Sequence, residues 1–154
     1  MKVLLIYPKF PDTFWSFTYA LNFIGKKSAF PPLGLLTVAT LLPEEWPRRL
    51  VDVNVDNLTD KDLKWADMAF IGGMAVQRKS ASQIIARCHA SNLKVVAGGP
   101  LFTSEPDEFK EVDHLVLDEA ELTLPAFLSD LHNGQPKKVY RASCFCDLGD
   151  TPAV

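Results

Sequence analysis

Short apolar runs, each halted by proline, glycine or an acid, recur along the chain. Val3 to Tyr7 (VLLIY) is closed by Pro8, and Met68 to Ile71 (MAFI) by Gly72-Gly73. Val95 to Ala97 is closed by Gly98-Gly99, and His114 to Leu117 (HLVL) runs into Asp118. Runs without alternation suit strands buried on both faces. Leu50 to Val55 (LVDVNV) alternates and reads as a strand nearer an edge, and Lys138 to Tyr140 offers a further edge strand. Between them the period changes. Ala81, Ile84, Ile85 and Cys88 fall at i, i+3, i+4, i+7, with Ser80 and Gln83 spaced as a capping box. Leu124, Phe127, Leu128 and Leu131 repeat that spacing and stop at Gly134. Leu33 to Leu42 is apolar almost all round and ends at Pro43, which predicts a deeply packed helix; residues 59–65 hold one short helical turn. Strands alternating with helices predict an α/β fold, a doubly wound parallel sheet of about five strands with helices on both faces. That count favours a flavodoxin-like strand order.

Composition narrows the class. With 154 residues, 47% hydrophobic and 23% charged, the chain suits one globular domain. A net charge of −3 gives no electrostatic footprint for nucleic acid. No apolar stretch has the length of a membrane span and the opening run is too short for a signal peptide, which predicts a cytoplasmic protein. Cys88, Cys144 and Cys146 fit a reducing compartment better than a disulfide framework. Two stretches break the economy of the rest. Residues 9–30 form a long connection rich in aromatics, a kind of loop that is usually functional. After Arg141 all periodicity is lost, so residues 1–141 read as the domain and 142–154 as a linker.

In a doubly wound sheet, ligands lie outside the carboxyl ends of the strands. Those ends are Tyr7-Pro8, Gly72-Gly73-Met74, Gly98-Gly99-Pro100 and Asp118-Glu119-Ala120-Glu121. Two Gly-Gly pairs on one rim would let backbone approach a flat ligand, or would merely permit tight strand–helix turns. The acids invite an acid/base role, yet Asp118 and Glu121 also have the spacing of a capping box. His89, His114 and His132 have no partners spaced to share a metal, and Cys144-x-Cys146 is a lone pair. Neither a dinucleotide nor a P-loop glycine motif occurs, and no catalytic residue can be named.

The stretches MKVLLIYPKFPDTFW, FPPLGLLTVATLLP, VVAGGPLFT and VDHLVLDEAELTLPAFLSDL, in this order, resemble the amino-terminal cobalamin-binding domain of cobalamin-dependent radical S-adenosylmethionine enzymes. The resemblance runs from Met1 to about Tyr140, with Pro31 to Leu35 and Gly98-Gly99-Pro100 its most specific parts. It implies a cobalamin-binding module of a methyltransferase or cyclase, holding the corrin at the strand ends. It also implies a partner: an absent radical domain, reached through residues 142–154, that carries the S-adenosylmethionine and the iron–sulfur cluster. The cofactor-binding residues it implies are Tyr7 and Pro8; Pro32, Leu33 and Gly34; Gly72, Gly73 and Met74; Gly98, Gly99, Pro100 and Thr103; and Glu119 with Ala120. No protein residue would ligate the metal, since the nearest approach to an Asp-x-His-x-x-Gly motif, Asp130 to Gly134, has its glycine one residue early. Asp118 stands where the family shows glycine, which predicts weakened affinity through its charge. The alternative is a cofactor-free interaction or dimerisation domain that kept the fold and uses the aromatic stretch as its interface. With the radical domain absent, the aromatic stretch should expose an apolar patch, which predicts self-association.

Overall fold

A computed structural model describes residues 1–11, 23, 25, 28 and 30–143. Six strands form one sheet: β1 (Val3–Tyr7), β2 (Arg48–Asp52), β3 (Met68–Gly72), β4 (Lys94–Gly98), β5 (His114–Val116) and β6 (Val139–Tyr140). Their spatial order is β2-β1-β3-β4-β5-β6, and every pairing is parallel. Val3 faces Arg48 on one side and Met68 on the other, so β1 is interior and all five of its residues are buried. The architecture is a Rossmann-like α/β sandwich. The sequence led to about five strands; Val139–Tyr140, at the outer edge of β5, makes the sixth.

The period of two along each strand divides the core into two layers. Leu4, Ile6, Ala69, Ile71, Val95 and Ala97 face helix α3 (Arg78–Ala90), whose Ala81, Ile84, Ile85 and Cys88 cover them. Val3, Leu5, Met68, Phe70 and Val96 face the other way, toward Leu35 of α1 (Leu33–Leu41) and Leu124 and Phe127 of α5 (Ala120–His132). The remaining helices are α2 (Asp60–Trp65), closed at its start by a Thr59–Asp62 capping box, and α4 (Pro100–Ser104). No helix among the described residues is long and apolar enough to cross a membrane.

Two helices depart from the sequence reading. Helix α1 is not deeply packed: Leu35 is its buried residue, whereas Leu33 and Gly34 are exposed. Its last turn is closed from outside by Arg48, whose guanidinium donates to the carbonyls of Ala39, Pro43 and Glu44. Helix α3 starts at Arg78 on a 3-10 turn, Ala75–Gln77, so Ser80 lies inside it and is no cap. The Ser80 hydroxyl instead accepts the Lys9 N–H at 2.8 Å. Fully buried Gln77 holds this corner together, accepting the Met74 N–H at 2.8 Å and donating to the Pro8 carbonyl.

Candidate functional site

From β1 the chain crosses to β2 on one side and then to β3 on the other, and helices that part in this way leave a crevice at the carboxyl ends of the strands. A cavity of about 390 Å³ opens there. Phe70, Val96 and Val116 form its floor, and Ile71 and Ala97 also border it. Pro31 to Leu35, Thr37 and Val38 make one wall, and Asp118 to Glu121 with Leu124 the opposite one.

Twelve of the residues named from the sequence line this cavity: Tyr7, Pro32, Leu33, Gly34, Gly72, Gly73, Met74, Gly98, Gly99, Pro100, Glu119 and Ala120. Pro8 and Thr103 do not. The Pro8 carbonyl is taken by Gln77 and by Asn54 Nδ2 (3.1 Å), and Thr103 Oγ1 accepts the Asp118 N–H at 2.9 Å. Leu35, Val38, Phe70, Val96, Val116 and Leu124 also line the cavity and were missed. Their apolar spacing is that of any core position, so no signal marked them.

The glycines owe their identity to the protein as much as to any ligand. A Cβ on Gly98 would stand 2.4 Å from the Val116 carbonyl oxygen, and one on Gly72 would stand 3.0 Å from Leu35 Cγ. Gly99 has φ +88°, which a side chain rarely permits. Gly34, in contrast, has nothing within 4 Å of an added Cβ. Close packing of strand on strand and of helix on strand accounts for Gly98 and Gly72, and backbone conformation for Gly99, whereas a Cβ on Gly73 would meet only ordinary contacts at 3.7 Å and beyond.

The charged side chains on the described lining are carboxylates: Asp118, Glu119 and Glu121. The expected Asp118–Glu121 capping box is absent. Helix α5 is capped by Glu119 without a side-chain bond, and its carbonyl accepts from Leu122 and Thr123 N–H, each at 3.2 Å. The Asp118 carboxylate faces the chain leaving β6, accepting the Ala142 N–H at 3.0 Å with Arg141 Nη1 3.9 Å away. It is therefore partnered by the chain that follows β6. Burial raises the Tyr7 pKa, the Asp52 charge adds to this and Gln77 opposes it, so the phenol on the rim stays protonated at neutral pH. Burial likewise pushes the Cys88 thiol up to about 11, with Arg87 opposing.

Among the described residues no group of three or more His, Cys, Asp or Glu could hold a metal ion. His89 Nε2 pairs with Asp113 at 3.1 Å, and His114 Nδ1 lies 2.7 Å from the Lys137 carbonyl. Cys144-x-Cys146 and nearly all of the 142–154 linker lie outside the described residues, as does most of the aromatic stretch.

Two relatives share the chain's sequence. An uncharacterized methyltransferase of Synechocystis is 46% identical over 154 residues, covering 99% of this chain and 29% of that protein. The hopanoid C-2 methylase of Rhodopseudomonas palustris is 36% identical over 119 residues, 77% of this chain and 23% of that protein. The chain thus spans under a third of the length of the curated relatives it matches. No family model and no solved structure matches.

Both relatives are named for methyl transfer, and this corrects what the resemblance implied. The cobalamin-binding module of a radical S-adenosylmethionine enzyme gives way to a methyltransferase reading. With it go cobalamin and the iron–sulfur cluster as cofactors, the radical domain as partner, and metal binding. The fold is described by the broader Rossmann-like class instead of the flavodoxin-like, cobalamin-binding one. A chain similar to named methyltransferases is also poorly described as a cofactor-free interaction domain of uncertain enzymatic standing.

Proposed function

We propose that residues 1–141 form the donor-binding domain of a methyltransferase, with S-adenosylmethionine held in the cavity at the strand ends. The observation that carries this reading is the chemistry of the lining: an apolar floor, glycine backbone and, among charged groups, carboxylates alone. That set suits a ligand bearing a sulfonium cation, a ribose diol and a flat base. Glu119 and Glu121 would accept from hydroxyls and offset the positive charge. Phe70, Val96 and Leu124 would shelter the base from water, and Gly34 and Gly73 would let the ligand lie against the main chain. When bound, the donor supplies an electrophilic methyl group and leaves as the neutral thioether once the acceptor's electron pair attacks the carbon. The protein's part is to bind, orient and exclude water. A protonated Tyr7 on the rim can donate or accept a hydrogen bond.

Isothermal titration of the folded chain with S-adenosylmethionine tests the reading. Saturable one-site binding is expected, and Gly34→Phe, which has room to fold, should weaken it at least roughly tenfold by filling the cavity. Replacing Glu119 and Glu121 by glutamine should cost the sulfonium-bearing donor about 1 kcal/mol, roughly fivefold, relative to S-adenosylhomocysteine, which lacks the sulfonium charge. No heat of binding up to millimolar donor would sink the proposal. Hydroxocobalamin is the control ligand; a perturbed visible spectrum there would count against the donor reading.

A further inference from the structure

Asp118 occupies backbone that suits glycine: its φ is +63°, in the left-handed region. Asn92, the other described non-glycine residue there, follows the end of α3, an ordinary place for such a residue. Asp118 has no helix end to explain it. It is held by its partners. Its N–H donates to Thr103 Oγ1 in α4 at 2.9 Å, and its carboxylate accepts the Ala142 N–H at 3.0 Å beside Arg141. The residue before it, Leu117, donates to the Tyr140 carbonyl at 3.0 Å. Three pieces of chain meet at this one residue: α4, whose first residue Pro100 lines the cavity; the chain leaving β6; and the cavity wall that continues through Glu119 and Ala120.

Backbone and side chain thus make opposite demands at position 118. Glycine would relieve the first and abolish the second. Left-handed non-glycine residues persist where the surroundings over-determine them, and they gather at ligand clamps and switch regions. We propose that Asp118 is a positioning residue, fastening Arg141–Ala142 to the cavity wall so that docking of the chain after β6 and binding of a ligand support each other. The coupling rests on the reading of the cavity as a donor site; the fastening does not. A ligand against Glu119 and Ala120 meets a wall whose place is set by the Ala142 contact of the adjoining residue, Asp118. Each event then makes the other more favourable, and by the same factor.

The test compares the wild type with Asp118→Gly and Asp118→Asn. Glycine fits the backbone, so that variant folds with a thermal midpoint no lower than the parent by more than a few degrees. Hydrogen exchange at the Ala142 amide, without ligand, should accelerate roughly tenfold or more in Asp118→Gly and much less in Asp118→Asn, which keeps an acceptor. Affinity for S-adenosylmethionine should fall about fivefold in the glycine variant and stay within about twofold in the asparagine one. Unchanged Ala142 exchange in Asp118→Gly would overturn the fastening. Faster exchange with unaltered affinity would overturn the coupling. A wild type that takes up no S-adenosylmethionine sinks the donor reading alone, since the exchange experiment decides the fastening without ligand.

Discussion

At Gly98 the backbones of β4 and β5 approach so closely that any side chain must displace a carbonyl. The added Cβ would sit 2.4 Å from the Val116 oxygen, and rigid main chain on both sides has little room to give. Gly98→Ala should therefore destabilise the fold by about 2 kcal/mol, the usual scale of overpacking. Gly34→Ala, with nothing within 4 Å and a place inside α1, should be neutral or stabilising by up to about 1 kcal/mol. Urea midpoints of the two variants against the parent check the contrast. The same residues show what a sequence can say. Two Gly-Gly pairs after apolar runs pointed to the strand-end rim, and twelve of the fourteen residues named from the sequence line the cavity there. Their cause was not legible, because a missing side chain reads alike whether it makes room for a ligand, a strand or a helix. Asp118 and Glu121 misled in a similar way. Their spacing is that of a capping box, but a left-handed residue cannot serve as an extended cap, and φ is invisible in the letters.

Between elements, Asp113 acts as a peg. Its carboxylate accepts the Val95 N–H of β4 at 2.9 Å and meets His89 of α3 at 3.1 Å, tying strand and helix to the turn before β5. Burial alone would raise its pKa, but the Val95 N–H, the His89 hydrogen bond and the charges of His89 and His114 together hold it below the ordinary carboxylate value. A depressed folded-state pKa means stability present above the unfolded value, near 4, and lost as pH falls through the folded one. Asp113→Asn should thus be less stable than the parent at pH 7, and the gap should narrow below about pH 4. Denaturation across pH 3 to 7 reads this directly; a constant gap would show that the charge is idle. Element boundaries were mostly legible. Val3–Tyr7 was read as it stands, and the 3.6-residue period found α3 and α5. Helix α1 was misjudged because apolar character all round does not say how many faces are covered. One face of it meets the sheet, and Leu33 turns outward at the cavity mouth.

Across the whole molecule, stability hangs on β1. It is buried throughout and bonded on both flanks, to β2 and to β3, so removing it would leave two sheet fragments with no common core. A chain lacking residues 1–8 should show no cooperative thermal transition by circular dichroism; a sharp one would mean that β3 to β6 fold alone. Because β1 is an interior strand joined only by parallel pairings, every strand pairing it makes is distant in sequence, the regime in which chain closure slows folding. That arrangement has a consequence during synthesis. Val3 to Tyr7 leaves the ribosome well before Arg48, and before Met68, with which it must pair. Throughout that interval the nascent chain displays its most apolar strand with both edges bare, the state in which an unfinished protein is most exposed to aggregation. Chaperone capture of ribosome-bound chains should accordingly be strongest before β3 emerges and fall away once Met68–Gly72 is free to dock.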